Sequence, residues 1–168
     1  NDMAKMSSVI FKWVRETSKK FLLCPEMIDH IYLFGSDIYT KLPEDVKKNI
    51  VIKDSFWLTD EAAAIYKHSL GLLSMDCHSP LLAFAQNTPA IYLRLEGSTS
   101  KGQMYRDFGL KDWIMELDES NADEIAERLL CMTENRKESL TKLGNALTKI
   151  REEHKIACDI IKGILKNL

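Results

Sequence analysis

His78, Arg94 and Lys101 are the side chains of this sequence best suited to handling an anion. Histidine gives or takes a proton near neutral pH. Arginine grips a carboxylate or phosphate at two points, and lysine adds a compact positive charge. His78 stands in Asp76-Cys77-His78-Ser79-Pro80, directly after the apolar run Gly71–Met75. Arg94 closes the run Ala90–Arg94, and Ser98, Thr99, Ser100, Lys101, Gly102 and Gln103 follow it. Each of these groups has a structural alternative. His78 can bond a neighbouring loop, Arg94 can pair with Glu96, and Lys101 can sit in solvent.

The elements that carry them read as alternating strands and helices. Met6, Val9, Ile10, Trp13 and Val14 follow the three-and-four spacing of a helix. Phe21–Cys24 is a short apolar run stopped by Pro25, which suits a buried parallel strand. A helix is expected over 26–41, weakened by Gly35 inside it. A strand is expected at Ile50–Ile52, and a helix from Thr59, with that hydroxyl as its cap. A strand at 72–75 leads to a helix opened by Ser79 as cap and Pro80 in its first turn. Further strands are expected at 91–94 and 113–117, with a short helix between them that stops at Gly109. Helices over 121–134 and 136–168 close the chain.

This alternation predicts an α/β fold: a Rossmann-like open parallel sheet of about five strands with helices on both faces. In such sheets ligands sit beyond the carboxyl ends of the strands, so the loops after residues 75 and 94 form the candidate site. Ser79 would place free N–H groups and a partial positive charge beside His78. The last helix carries a heptad seam at Leu140, Leu143, Leu147, Ile150, His154, Ala157, Ile161, Ile164 and Leu168. It fits a coiled coil with a second subunit, or a long helix lying across its own sheet or against another domain.

Composition excludes several classes. The chain has 168 residues, one domain by length, and 23 Lys plus Arg against 25 Asp plus Glu leave a formal charge of -2. No excess of positive charge marks it for nucleic acid. No apolar run is long enough to span a membrane. The four cysteines, Cys24, Cys77, Cys131 and Cys158, form no CxxC pair, so free thiols in a reducing, cytoplasmic setting are expected, with no metal. There is no GxSxG elbow, no Walker loop and no GxGxxG fingerprint, and no cofactor is expected.

The stretch from Ser74 to Leu93, SMDCHSPLLAFAQNTPAIYL, resembles the polysaccharide pyruvyl transferase family. In that family a strand ends in a His-Ser pair, a helix of small residues follows, and a proline introduces the next strand. The segment Lys101–Leu110 looks like the continuation used by one bacterial branch. The resemblance is strongest over residues 71–118. It implies the C-terminal domain of a two-domain protein, similar to B-type glycosyltransferases, with an N-terminal domain as its partner. A first, central strand is then expected ahead of Asn1. The implied activity transfers pyruvyl from phosphoenolpyruvate to a saccharide acceptor of a surface polysaccharide. His78 would be catalytic, and Ser79, Arg94, Lys101, Gln103 and Arg106 would bind substrate. One position departs from the pattern. The family places an arginine two residues before the histidine, and here Asp76 stands there. A carboxylate repels so acidic a donor unless Arg94, Lys101 or Arg106 offsets it. Two further readings therefore stand beside the first: a nucleotide-sugar donor, and a non-catalytic carbohydrate-binding domain of the same fold.

Overall fold

The computed structural model describes residues 2–95, 97–98 and 100–166. It is a mixed α/β structure with short parallel strands and many helices. Helix α1 (Asp2–Thr17) leads into strand β1 (Phe21–Leu23). Helix α2 (His30–Leu33) continues as a π turn (Phe34–Ile38) and a 3-10 turn (Tyr39–Lys41). After α3 (Glu44–Lys47) come β2 (Ile50–Ile52), α4 (Thr59–Lys67), β3 (Leu72–Ser74), α5 (His78–Ala85) and β4 (Ala90–Arg94). A 3-10 turn (Ser100–Gly102) precedes α6 (Gln103–Asp107), and β5 (Ile114–Glu116), α7 (Ala122–Glu134) and α8 (Arg136–Leu165) follow.

Every strand lies within two residues of its expected place. The helix expected over 26–41 is broken instead. Its central turns widen into a π segment, Phe34–Ile38, with open space beside Gly35 and Ile38 buried. Leu58, not Thr59, is the cap position of α4. The Glu61 carboxylate accepts the Leu58 N–H at 2.9 Å, so the acid rather than the hydroxyl closes that end. Gly109 adopts φ +77° just beyond α6, the left-handed stop its sequence position implied. Asn121 caps α7 through the N–H groups of Asp123 and Glu124, with Glu124 reaching back to Asn121 N–H.

The expected single sheet is divided. β1 pairs only with β2, and β3, β4 and β5 form a separate sheet in that order, all pairs parallel. β1 and β3 do not pair, and both line an apolar cavity of about 430 Å³. The core fills both sides of the strands. Val9, Ile10, Ile91, Leu93, Leu117, Ile125 and Leu143 are all at most 1% exposed. Trp13 in α1 donates from Nε1 to Thr133 Oγ1 of α7 at 3.1 Å and stands edge-on to Phe21.

Helix α8 has two halves. Leu143 and Ala146 are buried, whereas every described residue from Arg151 onward is exposed. The outer part, with Ile156, Ile160, Ile161 and Ile164, does not lie across the sheet. No described helix is long and apolar enough to cross a membrane.

Asp112 pins the inner half of α8. Lys142 Nζ donates to its Oδ2 at 2.6 Å, and Arg128 lies 4.0 Å from Oδ1. The Lys142 hydrogen bond holds the carboxyl below its ordinary value of 3.8. A depressed acid stabilises the fold above its ordinary value and loses that contribution as pH falls through the lower, folded one. Asp112→Asn should therefore lower urea stability modestly at neutral pH, as expected for a solvent-exposed pair. The difference from the parent should shrink as pH falls below 3.8 and vanish only below the lowered, folded value. An equal deficit at both pH values would show that the amide disturbs packing instead.

Candidate functional site

The turn from β3 into α5 is built by short polar side chains. Ser74, the last residue of β3, donates from Oγ to Glu26 Oε1 at 2.6 Å and accepts the Asp76 N–H at 2.9 Å. Asp76 Oδ1 accepts the His78 N–H at 2.6 Å. Asp76 thus caps α5, in place of the Ser79 cap expected from sequence. Two capping side chains compete in this segment, and the helix begins at His78, one residue before Ser79. Ser79 therefore lies inside the first turn, with its hydroxyl near enough to the Tyr66 phenol to favour the phenol's ionised form. Pro80, also in that turn, lacks an N–H where none is needed. Burial is the main cause that pushes the Tyr66 phenol up to about 12, with the nearby Cys24, Glu26 and Asp76 adding to it.

The same Asp76 oxygen lies 3.1 Å from His78 Nδ1. A carboxylate there makes Nδ1 the donor and leaves Nε2 for a second partner. The imidazole is well exposed, with 73% of its side-chain surface open. Cys77 Sγ lies 3.7 Å from Nδ1, and the donor atoms of Asp76, Cys77 and His78 fall within 4.8 Å of one another. Cys77 is buried and the Asp76 oxygen already serves two N–H groups, so the carboxylate fixes the orientation of the imidazole.

Arg94 turns the other way, toward β5. Its Nη1 donates to Glu116 Oε1 at 3.0 Å and its Nη2 to the Ser98 carbonyl at 3.2 Å. Glu96, the expected alternative partner, and Thr99 lie outside the described residues. Arg94 Nε is buried without a hydrogen-bond partner among the described residues. Gly102 lies against this side chain. A Cβ there would come within 2.6 Å of Arg94 Cδ and 2.5 Å of Ile114 Cδ1, so any larger residue would have to displace these two side chains. Arg106 approaches the same Glu116 oxygen at 3.9 Å. Gln103 donates to Asp107 at 3.0 Å and accepts from Arg106 at 3.5 Å. Lys101 is exposed in the turn before α6.

The structure thus sorts the six expected residues into two groups on one sheet edge. His78 and Ser79 follow β3. Beyond β4 and β5, Arg94 and Arg106 meet Glu116, Gln103 bonds Arg106, and Lys101 is exposed in the turn before α6. Two guanidinium groups approach one carboxylate there. None of the six lines the apolar cavity between β1 and β3. Sequence reasoning gave no role to Glu116, Glu26, Ser74 and Tyr66, and it read Asp76 as a charge beside His78 and against an acidic donor, not as the acceptor for the first N–H of α5. Glu116 carried one usable signal: it is an acid at the carboxyl end of an expected strand. Its pairing with Arg94 follows from the β4–β5 register, in which the two residues are partners. The chain matches no protein-family model, no curated protein and no solved structure.

Proposed function

We propose that this chain is the donor-side domain of a sugar-modifying transferase resembling the polysaccharide pyruvyl transferases, Rossmann-like and similar to the C-terminal domain of B-type glycosyltransferases. It works in the cytoplasm, where its free thiols stay reduced. The observation that carries this reading is the Asp76–His78 pair, exposed at the start of α5 within the stretch that bears the resemblance.

Transfer of pyruvyl from phosphoenolpyruvate to two sugar hydroxyls has a simple balance. Two C–O bonds form at C2 of the donor, while its C=C π bond and its C–O bond to phosphate break. One hydroxyl proton ends on the methylene carbon, which becomes a methyl group, and the other leaves with phosphate. His78 Nε2 gives a proton to the departing phosphate oxygen and takes one from an acceptor hydroxyl. Asp76 holds the ring in place and balances its positive charge, so its own charge is offset on the spot. Arg106 and Lys101 supply the field for the donor's carboxylate and phosphate. Arg94 positions this group, since its guanidinium is committed to Glu116 and Ser98.

Calorimetric titration of the whole protein with phosphoenolpyruvate and with a panel of nucleotide sugars tests the reading. Phosphoenolpyruvate should bind, and Arg106→Ala should weaken it by about tenfold, the scale of one charged contact. Binding of a nucleotide sugar with no response to phosphoenolpyruvate would replace it with a glycosyltransferase. Silence with both donors and binding of a saccharide alone would make this a carbohydrate-binding domain.

A further inference from the structure

We propose that Asp76, Cys77 and His78 form a binding site for one zinc-class divalent cation at the start of α5. The inference does not depend on the transfer reading.

The spacing of the donor atoms carries it. One ligand atom from each of the three side chains lies within 4.8 Å of the other two. Cys77 Sγ is 3.7 Å from His78 Nδ1, which is 3.1 Å from Asp76 Oδ1. Around a tetrahedral zinc ion, a sulfur and a nitrogen ligand stand about 3.6 Å apart, and a nitrogen and an oxygen ligand about 3.3 Å. Both separations here need only a small adjustment to close on an ion. The turn is already held in shape. Ser74 Oγ accepts the Asp76 N–H at 2.9 Å, and Asp76 Oδ1 accepts the His78 N–H at 2.6 Å. Asp76 Oδ2 makes no hydrogen bond among the described residues, so the carboxylate can keep the helix end and still reach a cation.

The chemistry of the set selects the metal. Magnesium and calcium take oxygen ligands, whereas thiolate with imidazole suits zinc. The Cys77 thiolate and the Asp76 carboxylate together cancel the two charges of the ion, and the imidazole binds neutral. On binding, the thiol proton leaves to solvent and the ring proton moves from Nδ1 to Nε2. Three protein ligands leave a fourth position for water. The Asp76 and His78 side chains are 43% and 73% exposed, so the ion enters from solvent, and buried Cys77 closes the inner side.

A second observation lies behind the cysteine. Tyr105 is buried, and its hydroxyl has no hydrogen-bond partner among the described residues. Negative charge at Cys77 is one of the influences that push this phenol up. An orphaned buried donor on the Cys77 side suits a lasting negative charge on the sulfur, as a metal-bound thiolate provides.

Spacing rules miss this site, because its ligands are consecutive and only the turn into α5 brings their donor atoms together. The ion also bears on His78. Once it holds Nδ1, the ring proton is fixed on Nε2, which can no longer take a proton from an acceptor. The metal-bound and acid–base states of the turn exclude each other.

The reduced chain is titrated with cobalt(II) and then with zinc(II), followed by absorption spectroscopy. One equivalent of cobalt should give a thiolate-to-cobalt charge-transfer band and the intense visible bands of a four-coordinate ion, and zinc should bleach both. Cys77→Ser should remove the charge-transfer band. His78→Ala should weaken cobalt binding by about tenfold or more, since changes one shell further out already cost that much. Its circular dichroism should match the parent. Serine at the exposed Cys131 and Cys158 should leave the signal whole. Absence of the charge-transfer band at one equivalent would overturn the proposal. So would a band lost with Cys131 and Cys158, or binding with no thiolate band, each the mark of an adventitious surface ion. Undiminished binding by a folded His78→Ala chain would overturn it as well.

Discussion

Replacing His78 with alanine should slow transfer by ~10²–10⁴-fold in the whole protein, the usual contribution of a positioned acid–base group. Its melting temperature should stay unchanged. The imidazole is largely exposed and caps nothing, because the cap of α5 is the Asp76 carboxylate on the His78 backbone N–H. That N–H survives the substitution. Asp76 separates the two roles further. Asp76→Asn keeps an oxygen for the helix end but loses the charge beside Nδ1, so the rate should fall while the fold holds. Asp76→Ala removes both, and should cost a further ~0.5–2 kcal/mol of stability, the range for a lost cap. Rate and unfolding are to be measured on the same preparations. A His78→Ala protein that unfolds, or that keeps its full rate, would show a structural histidine and defeat the catalytic assignment.

Trp13→Ala should cost ~3–5 kcal/mol, the range for removing a buried large aromatic. Trp13 is 5% exposed and links three elements: its own α1, Phe21 of β1 and Thr133 of α7. It also lines the cavity between the sheets, so its loss enlarges a space that the surrounding side chains cannot readily collapse to fill. Trp13→Phe isolates the polar part. It keeps an aromatic ring but gives up the indole donor. Thr133 Oγ1 still donates to the Leu129 carbonyl at 2.8 Å, so no buried hydroxyl is stranded. That variant should lose only about 0.5–1.5 kcal/mol, the net worth of one hydrogen bond. Chemical unfolding followed by circular dichroism distinguishes the two. A small effect from Trp13→Ala would mean that α1 is held by its other contacts.

Local chemistry was legible residue by residue. Pro25 stops the run Phe21–Cys24, and Pro89 opens the run that becomes β4. Gly109 ends α6, and Asn121 with Glu124 starts α7. Each of these signals acts within about four residues, through a fixed φ, an absent donor or a side-chain cap, so the order of elements could be read directly. The parallel α/β class followed from that order. Capping was less legible. Asp76 and Ser79 both suit a helix end, and only the observed start at His78 shows which oxygen meets the first free N–H.

Pairing across the chain was not legible. Arg94 meets Glu116, 22 residues away, because β4 and β5 adopt one register out of several that the same residues allow. A shift by one residue would turn Glu116 to the other face. The division into two sheets is of the same kind. The apolar runs at Phe21 and Leu72 look alike in sequence, and nothing in them says which edges bond. That is settled only in the packed chain, where β1 bonds β2 and lines a cavity that β3 also lines. Strand identity comes from neighbours along the chain, whereas edges, registers and ion pairs come from contacts whose geometry exists only once distant segments have packed together.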